Sequence, residues 1–367
     1  MQELHDLQLI TACEGPLALN DYVFDLCRDL LPPDGARFCQ QIRRYGDYLA
    51  KAAQEPDYQA ENPLKLILPF LKAHGLTNAQ ISEHAHQQLM LVPDATGAYN
   101  FLHAQRFPIF VLSTGYRQFA VAAAKKLGFS PKNIFAAELD LDHYKISEAE
   151  KAELLGCQQE IAQAPDIVPP PEAVSPEDLP PPVREAVQVC DRIFKEKVPQ
   201  MEIGALYQEV QLLGGPEKAR AVSEILTRSD LTLKDTIYVG DGLSDVQVLE
   251  AVKTGGGLGI SFNGDINAIK AAEVCLIADN AWPIALIASV FVLWGKEGIM
   301  EIATKGQAGA SRYLVLPEAV IDYLMQGLKG RNFNLYASNA RDPETTAQES
   351  MAMQAKLRGA ALAGGTD

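Results

Sequence analysis

The chain opens on an apolar run, Leu7-Gln8-Leu9-Ile10-Thr11-Ala12-Cys13, which reads as a short buried strand ending at a Gly15-Pro16 turn. From about residue 20 the period changes. Segments 21–31, 36–54, 62–75, 77–89 and 94–106 place apolar residues three and four apart, separated by Pro-Pro-Asp-Gly, Glu-Pro-Asp and His-Gly breaks. No strand pattern interrupts them, so residues 21–99 predict one helical module. Strands and helices then alternate. Pro108-Ile109-Phe110-Val111-Leu112 and Asn133-Ile134-Phe135 predict strands flanking an amphipathic helix over Tyr116–Leu127. Farther on, helices at 216–228, 244–253, 265–272 and 283–302 interleave with strands at 236–239, 258–261 and 274–277.

Such alternation predicts an α/β fold with a doubly wound parallel sheet and helices on both faces. Ligands bind such sheets at the carboxyl ends of the strands, so chemistry is to be sought there. Between the two stretches of alternation, residues 167–183 carry Pro-Pro-Pro twice with acidic residues between them. That text predicts an extended linker or exposed loop with no means of packing a core, and its flanks, 145–163 and 184–200, look helical. The organisation expected is a core of residues 1–20, 100–150 and 205–302, a helical cap at 21–99 and a partly helical insertion at 151–204. Residues 303–367 are expected to be a weakly anchored helix and a small-residue tail, Gly359 to Asp367.

Composition narrows the function. The hydrophobic content of 47% is ample for a sizeable core, and the net charge of −15 repels phosphate backbones and anionic lipid surfaces. Neither nucleic acid nor membrane is an expected partner. The longest apolar run, Ile284 to Trp294, falls short of the roughly 20 residues of a membrane span. Cys13, Cys27, Cys39, Cys157, Cys190 and Cys275 are scattered without a C-x-x-C pair, which predicts reduced core thiols. The N-terminus lacks a basic region leading into an apolar one, so a soluble, cytoplasmic protein is expected.

The strand ends carry the candidate chemistry. They read Ala12-Cys13-Glu14-Gly15-Pro16, Ser113-Thr114-Gly115 and Gly240-Asp241-Gly242-Leu243-Ser244-Asp245, and Lys218 lies near the start of a helix in Gly214-Gly215-Pro216-Glu217-Lys218. Asp241 and Asp245 are oxygen donors of the kind that suits Mg²⁺. Ser113, with the amides of Thr114 and Gly115 at the opening of a helix, predicts a phosphate cradle. Lys218 offers a cation to phosphate oxygens.

Taken in this order, the motifs resemble the haloacid-dehalogenase superfamily of phosphohydrolases, and within it phosphoserine-phosphatase-like members. The resemblance covers about half the chain. Gly-Asp-Gly-x-Ser-Asp after Ile237-Tyr238-Val239 is its most specific part, and Ile260-Ser261-Phe262-Asn263-Gly264 is similar to the segment that follows. It implies a Mg²⁺-dependent phosphatase acting on a small phosphorylated metabolite under a helical cap. It also implies Asp-x-Asp at the first strand end, where the first aspartate attacks phosphorus and the second is the general acid and base. Here those positions hold Ala12 and Glu14. Some archaeal relatives resemble Asp-Cys-Glu-Gly-Pro, which accommodates Glu14 but leaves Ala12 unexplained. A methyl group is neither nucleophile nor ligand, so the chain is expected to be inactive or strongly impaired. An engineered Asp-to-Ala change and a natural non-catalytic member both fit; the ordinary Leu17-Ala18-Leu19 that follows favours the second. The alternative function is a phospho-ligand-binding or complex-scaffolding protein.

Other candidates are weaker. His84 and His86 are two apart on a helix and share no face, so they predict no metal pair. Thr254-Gly255-Gly256-Gly257-Leu258-Gly259 runs from helix into strand, the reverse of a dinucleotide loop, and reads as a turn.

Overall fold

The computed structural model describes residues 7–51, 53, 55, 59, 61–170, 173, 175–305 and 318–362. Its strands are β1 (Gln8–Ala12), β2 (Ile109–Tyr116), β3 (Ile134–Ala137), β4 (Thr236–Gly240), β5 (Leu258–Phe262), β6 (Val274–Ala278) and β7 (Phe333–Ala337). They form one sheet in the order β3-β2-β1-β4-β5-β6-β7. The first six are parallel, and β7 runs antiparallel along β6. β1, β4, β5 and β6 are buried along their whole lengths, as a parallel sheet covered on both faces requires. The order reverses between β1 and β4, so their carboxyl ends open a crevice there. The fold is α/β and doubly wound, with a helical cap, as the sequence pattern implied.

Between β1 and β2 come α1 (Tyr22–Leu30), α2 (Gly35–Lys51), α3 (Asn62–Ala73), α4 (Asn78–Gln88) and α5 (Ala95–Ala104). The expected end of the second helix, residues 52–54, falls partly outside the described residues. α6 (Arg117–Lys126) links β2 to β3, and α7 (Glu148–Gln163), α8 (Pro181–Asp191) and α9 (Leu206–Glu209) follow. The remaining helices are α10 (Gly215–Ser229), α11 (Val246–Thr254), α12 (Ile266–Ala271), α13 (Trp282–Lys305), α14 (Glu318–Leu328) and α15 (Pro343–Leu362).

Two expectations about packing are corrected. The proline-rich stretch does pack: Ile167, Ala173, Leu179 and Val183 are buried in the main core cluster, although residues 171, 172 and 174 lie outside the described residues. Prolines hold the backbone extended without preventing isolated aliphatic side chains from reaching a core. The insertion is fastened to the helical module by Gln158 Nε2, which donates to the carbonyls of Leu31 (3.0 Å) and Pro33 (3.1 Å). Arg37 reaches the carbonyls of Ala162 (2.5 Å) and Ala164 (2.9 Å), and Phe38, Phe70 and Phe194 form a ring cluster at 4.7 and 6.2 Å.

The C-terminal region is the second correction. After α14 the chain adds β7 to the sheet, pairing Ala337 with Val274 and Phe333 with Ala278. α15 then folds back against α12 and β6, burying Leu357 and partly burying Met353 in the main core, while Ala347 packs with Ile269 and Cys275. Residues 359–362 of the expected tail belong to this helix, and 363–367 lie outside the described residues. α13 is longer than the apolar run had suggested. By length and mean hydropathy (24 residues, 1.5) it could cross a bilayer, yet its first half is core, packed on α5 and β7. Helical geometry breaks at Gly295 (φ 58°, ψ −158°).

Candidate functional site

Ala12 is the last residue of β1, and the chain beyond it must turn beneath the end of β4. Gly15 makes that possible. Its φ is +85°, and a Cβ there would stand 2.1 Å from a carboxylate oxygen of Asp241. Glu14, half-buried, is aimed toward β2, where the wholly buried Ser113 donates its hydroxyl to Glu14 Oε1 at 2.6 Å. Burial pushes the Glu14 carboxyl above its ordinary value; the Ser113 hydrogen bond and the Lys218 charge pull partly back.

Thr114 and Gly115 lie within β2, not at the opening of a helix as expected, because the strand continues to Tyr116 and α6 starts at Arg117. Tyr116 is fully buried and its hydroxyl donates to Leu64 O (2.9 Å), which fixes this segment extended. A Cβ at Gly115 would press on Glu14 Oε1 at 3.0 Å. Thr114 Oγ1 lies 3.3 Å from Ser244 Oγ, beyond the end of β4.

Lys218 projects from the first turns of α10, is 2% exposed, and donates to Asp245 Oδ1 (2.7 Å) and Ser244 Oγ (2.9 Å). Burial alone would lower its pKa, but the charge and hydrogen bond of Asp245 raise it above the ordinary lysine value. Asp245 accepts Lys218 Nζ and the Tyr238 hydroxyl (2.5 Å) on one oxygen. The other takes the amides of Asp241 (2.9 Å) and Gly242 (3.1 Å). Burial opposes its charge, yet Lys218 and these donors hold its carboxyl below the usual range. Four donors saturate a carboxylate. Asp245 is therefore not available as a metal ligand, contrary to expectation: the turn Leu243–Asp245 folds it back onto its own backbone.

Asp241 differs. It is half-buried, faces the crevice, and has as its hydrogen-bond partner Gln354 Nε2, at 3.3 Å. Burial, then the charge of Asp245, push its carboxyl well above the carboxylate range, with Lys218 pulling the other way. Mg²⁺ demands near-octahedral oxygen coordination. Among the described residues no group of three His, Cys, Asp or Glu side chains could hold a metal ion. With a methyl at position 12 and Asp245 saturated, Glu14 and Asp241 are the strand-end carboxylates left. Two carboxylates fall short of a metal site built from side chains alone.

Ala12, Glu14, Thr114, Gly115, Lys218, Asp241 and Ser244 line one cavity of about 220 Å³. Opposite them stand Asn20 just before the helical module, Asp21, Tyr22, Val23, Arg43 and Leu64 within it, and Arg358 from α15. Arg43 grips Asp21 through both guanidinium nitrogens, and this overrides burial to hold the Asp21 carboxyl below its ordinary value. A larger depression of about 560 Å³ at the β3 edge, lined by Arg117, Lys132 and Arg228 among others, contains none of the strand-end residues. The strand-end residues line the smaller one. His84 faces Asp29 (3.1 Å) and His86 bonds to Ser82 O (2.8 Å) within its own helix. Sequence reasoning reached the sheet side of this cavity but missed Asp21, Arg43, Gln354 and Arg358, which belong to no strand end.

No family model matches the chain, and no curated protein matches it. Among solved structures, the gene product AF1437 from Archaeoglobus fulgidus is similar over 97% of this chain and 98% of its own, with 26% identity and a TM-score of 0.76. Two phosphoserine phosphatase structures, a phospho-aspartyl intermediate analogue and a substrate-bound complex, are each 15% identical. Each match covers 74% of this chain and 92% of that structure, with TM-scores of 0.43 and 0.44. These last two are too distant for roles to be carried over residue by residue.

Proposed function

We propose that the chain is a haloacid-dehalogenase-type phosphohydrolase scaffold that holds a small phosphomonoester but, with Ala12 at the nucleophile position, does not transfer its phosphoryl group. One observation supports this above the others. Ala12, Glu14, Thr114, Lys218 and Asp241, distant in sequence, line a single cavity at the carboxyl ends of β1, β2 and β4, with Ser113 directly behind Glu14. Phosphoryl transfer needs an in-line nucleophile and compensation of charge on the equatorial oxygens. Lys218, Thr114 and Ser244 supply polar contacts, and Glu14, with its carboxyl raised by burial, has the character of a general acid. The attacking group is what the chain lacks.

Neighbours do not substitute for it. Thr11 is fully buried and gives its hydroxyl to Ala12 O (3.0 Å). The Cys13 thiol is also fully buried, and burial pushes its pKa well up, which keeps it protonated. A carboxylate at position 12 would join Glu14 and Asp241 as a third oxygen donor. Ala12→Asp is accordingly expected to raise p-nitrophenyl phosphate hydrolysis in the presence of Mg²⁺ by about 10²-fold or more. A variant that folds and stays at the wild-type background would remove the phosphohydrolase reading.

A further inference from the structure

Cations stand on both sides of the cavity, and two of them are already committed. Lys218 is closed against Asp245 and Ser244, and Arg43 against Asp21. Each pair is close to neutral as a unit. Glu14 and Asp241 add carboxylates to the same walls. A phosphate dianion entering a cavity so lined would meet an acidic surface, unless a positive charge remains free to receive it.

Arg358 is that charge. It lines the cavity, it is half-buried, and among the described residues it makes no hydrogen bond or ion pair. Its charge reaches Asp21 across the cavity. Its placement is firm. Gln354 lies one helical turn earlier on the same face of α15 and holds Asp241 Oδ2 at 3.3 Å, while the adjoining face buries Leu357 and part of Met353. The guanidinium is thus delivered by a docked helix. Its planar fork of donors matches the oxygens of a phosphate better than a point charge does.

We propose that Arg358 is the anion anchor of this cavity, binding phosphate oxygens of the ligand. The proposal rests on reading the cavity as a phospho-ligand site. The cavity, about 220 Å³, has room for a phosphate group.

The test is isothermal titration of the full chain with inorganic phosphate, for wild type, Arg358→Ala and Arg358→Lys, alongside the melting temperature of each without phosphate. Arg358→Ala is expected to weaken phosphate binding about tenfold or more, and Arg358→Lys to recover part of it. Both should melt within about 2 °C of wild type, because the side chain has no described hydrogen bond or ion pair to lose and only a charge at a distance from Asp21. Phosphate affinity unchanged in Arg358→Ala overturns the proposal and leaves the phospho-ligand reading standing, whatever the melting temperature does. Absence of phosphate binding in the wild type at millimolar concentration overturns both.

Discussion

Asp241 and Asp245 share one turn, four residues apart, and their surroundings could hardly differ more. Asp245 is 1% exposed and surrounded by four donors drawn from α10, β4 and its own turn. Asp241 is half-exposed to the crevice, pressed by neighbouring carboxylates, and has a long contact to Gln354 as its hydrogen bond. The first is a fastening for the architecture, and the second is left facing the cavity. The same division runs through the whole site. The Lys218 side is complete within itself, whereas around residue 12 Glu14 and Asp241 have Ser113 and Gln354, both neutral, as hydrogen-bond partners.

Substitutions can break or sharpen this contrast. Removing the fastening has the largest expected effect. Asp245→Ala strands Lys218 as a buried, unpaired cation and should cost about 3–5 kcal/mol, read as a lowered urea midpoint. Tyr238→Phe removes one donor to the same carboxylate while keeping the ring, and about 1–2 kcal/mol should be lost in the same assay. The other aspartate should behave in the opposite sense. Asp241→Asn removes an uncompensated carboxylate and should stabilise the protein at neutral pH by about 1 kcal/mol. The pH dependence follows from the direction of its shift. A carboxyl raised in the folded state stabilises fully below its unfolded pKa, and that stability is lost as pH rises through the folded value. The gain from Asp241→Asn should therefore be greatest at neutral pH and shrink on acidification, as followed by thermal melts across the two conditions. A variant less stable than wild type at every pH would mean that Asp241, too, is structural.

Much of this was legible in the sequence, and the failures have physical causes. The strands were readable because each is a short apolar run bounded by turn residues, and the sheet side of the site followed because parallel sheets gather their strand ends. The spacing of Asp241 and Asp245 suggested a ligand pair. Spacing does not report direction, and a tight turn sends the second carboxylate back to its own amides. The C-terminal arm was missed for a different reason. Phe333-Asn334-Leu335-Tyr336-Ala337 is a weak strand signal on its own, and it forms because β6 offers an open edge beside it. α15 carries its packing face in residues spaced like a helical stripe, Thr346, Ser350, Met353 and Leu357, two of which are polar. Burial of such a face is decided by what it meets, which local pattern does not contain. The same holds for Arg43 and Arg358: nothing in the text around either arginine names the cavity into which the fold carries it.

The antiparallel β7 also settles a hazard that a parallel sheet creates at its border. β6 is apolar from end to end, Val274-Cys275-Leu276-Ile277-Ala278, and uncovered it would offer a bare row of amides and carbonyls to any passing chain. β7 occupies that row and turns the sheet's margin into a partly polar boundary of equal length, with Asn334 exposed. The arm that completes the cavity thereby also covers the apolar border strand of the sheet.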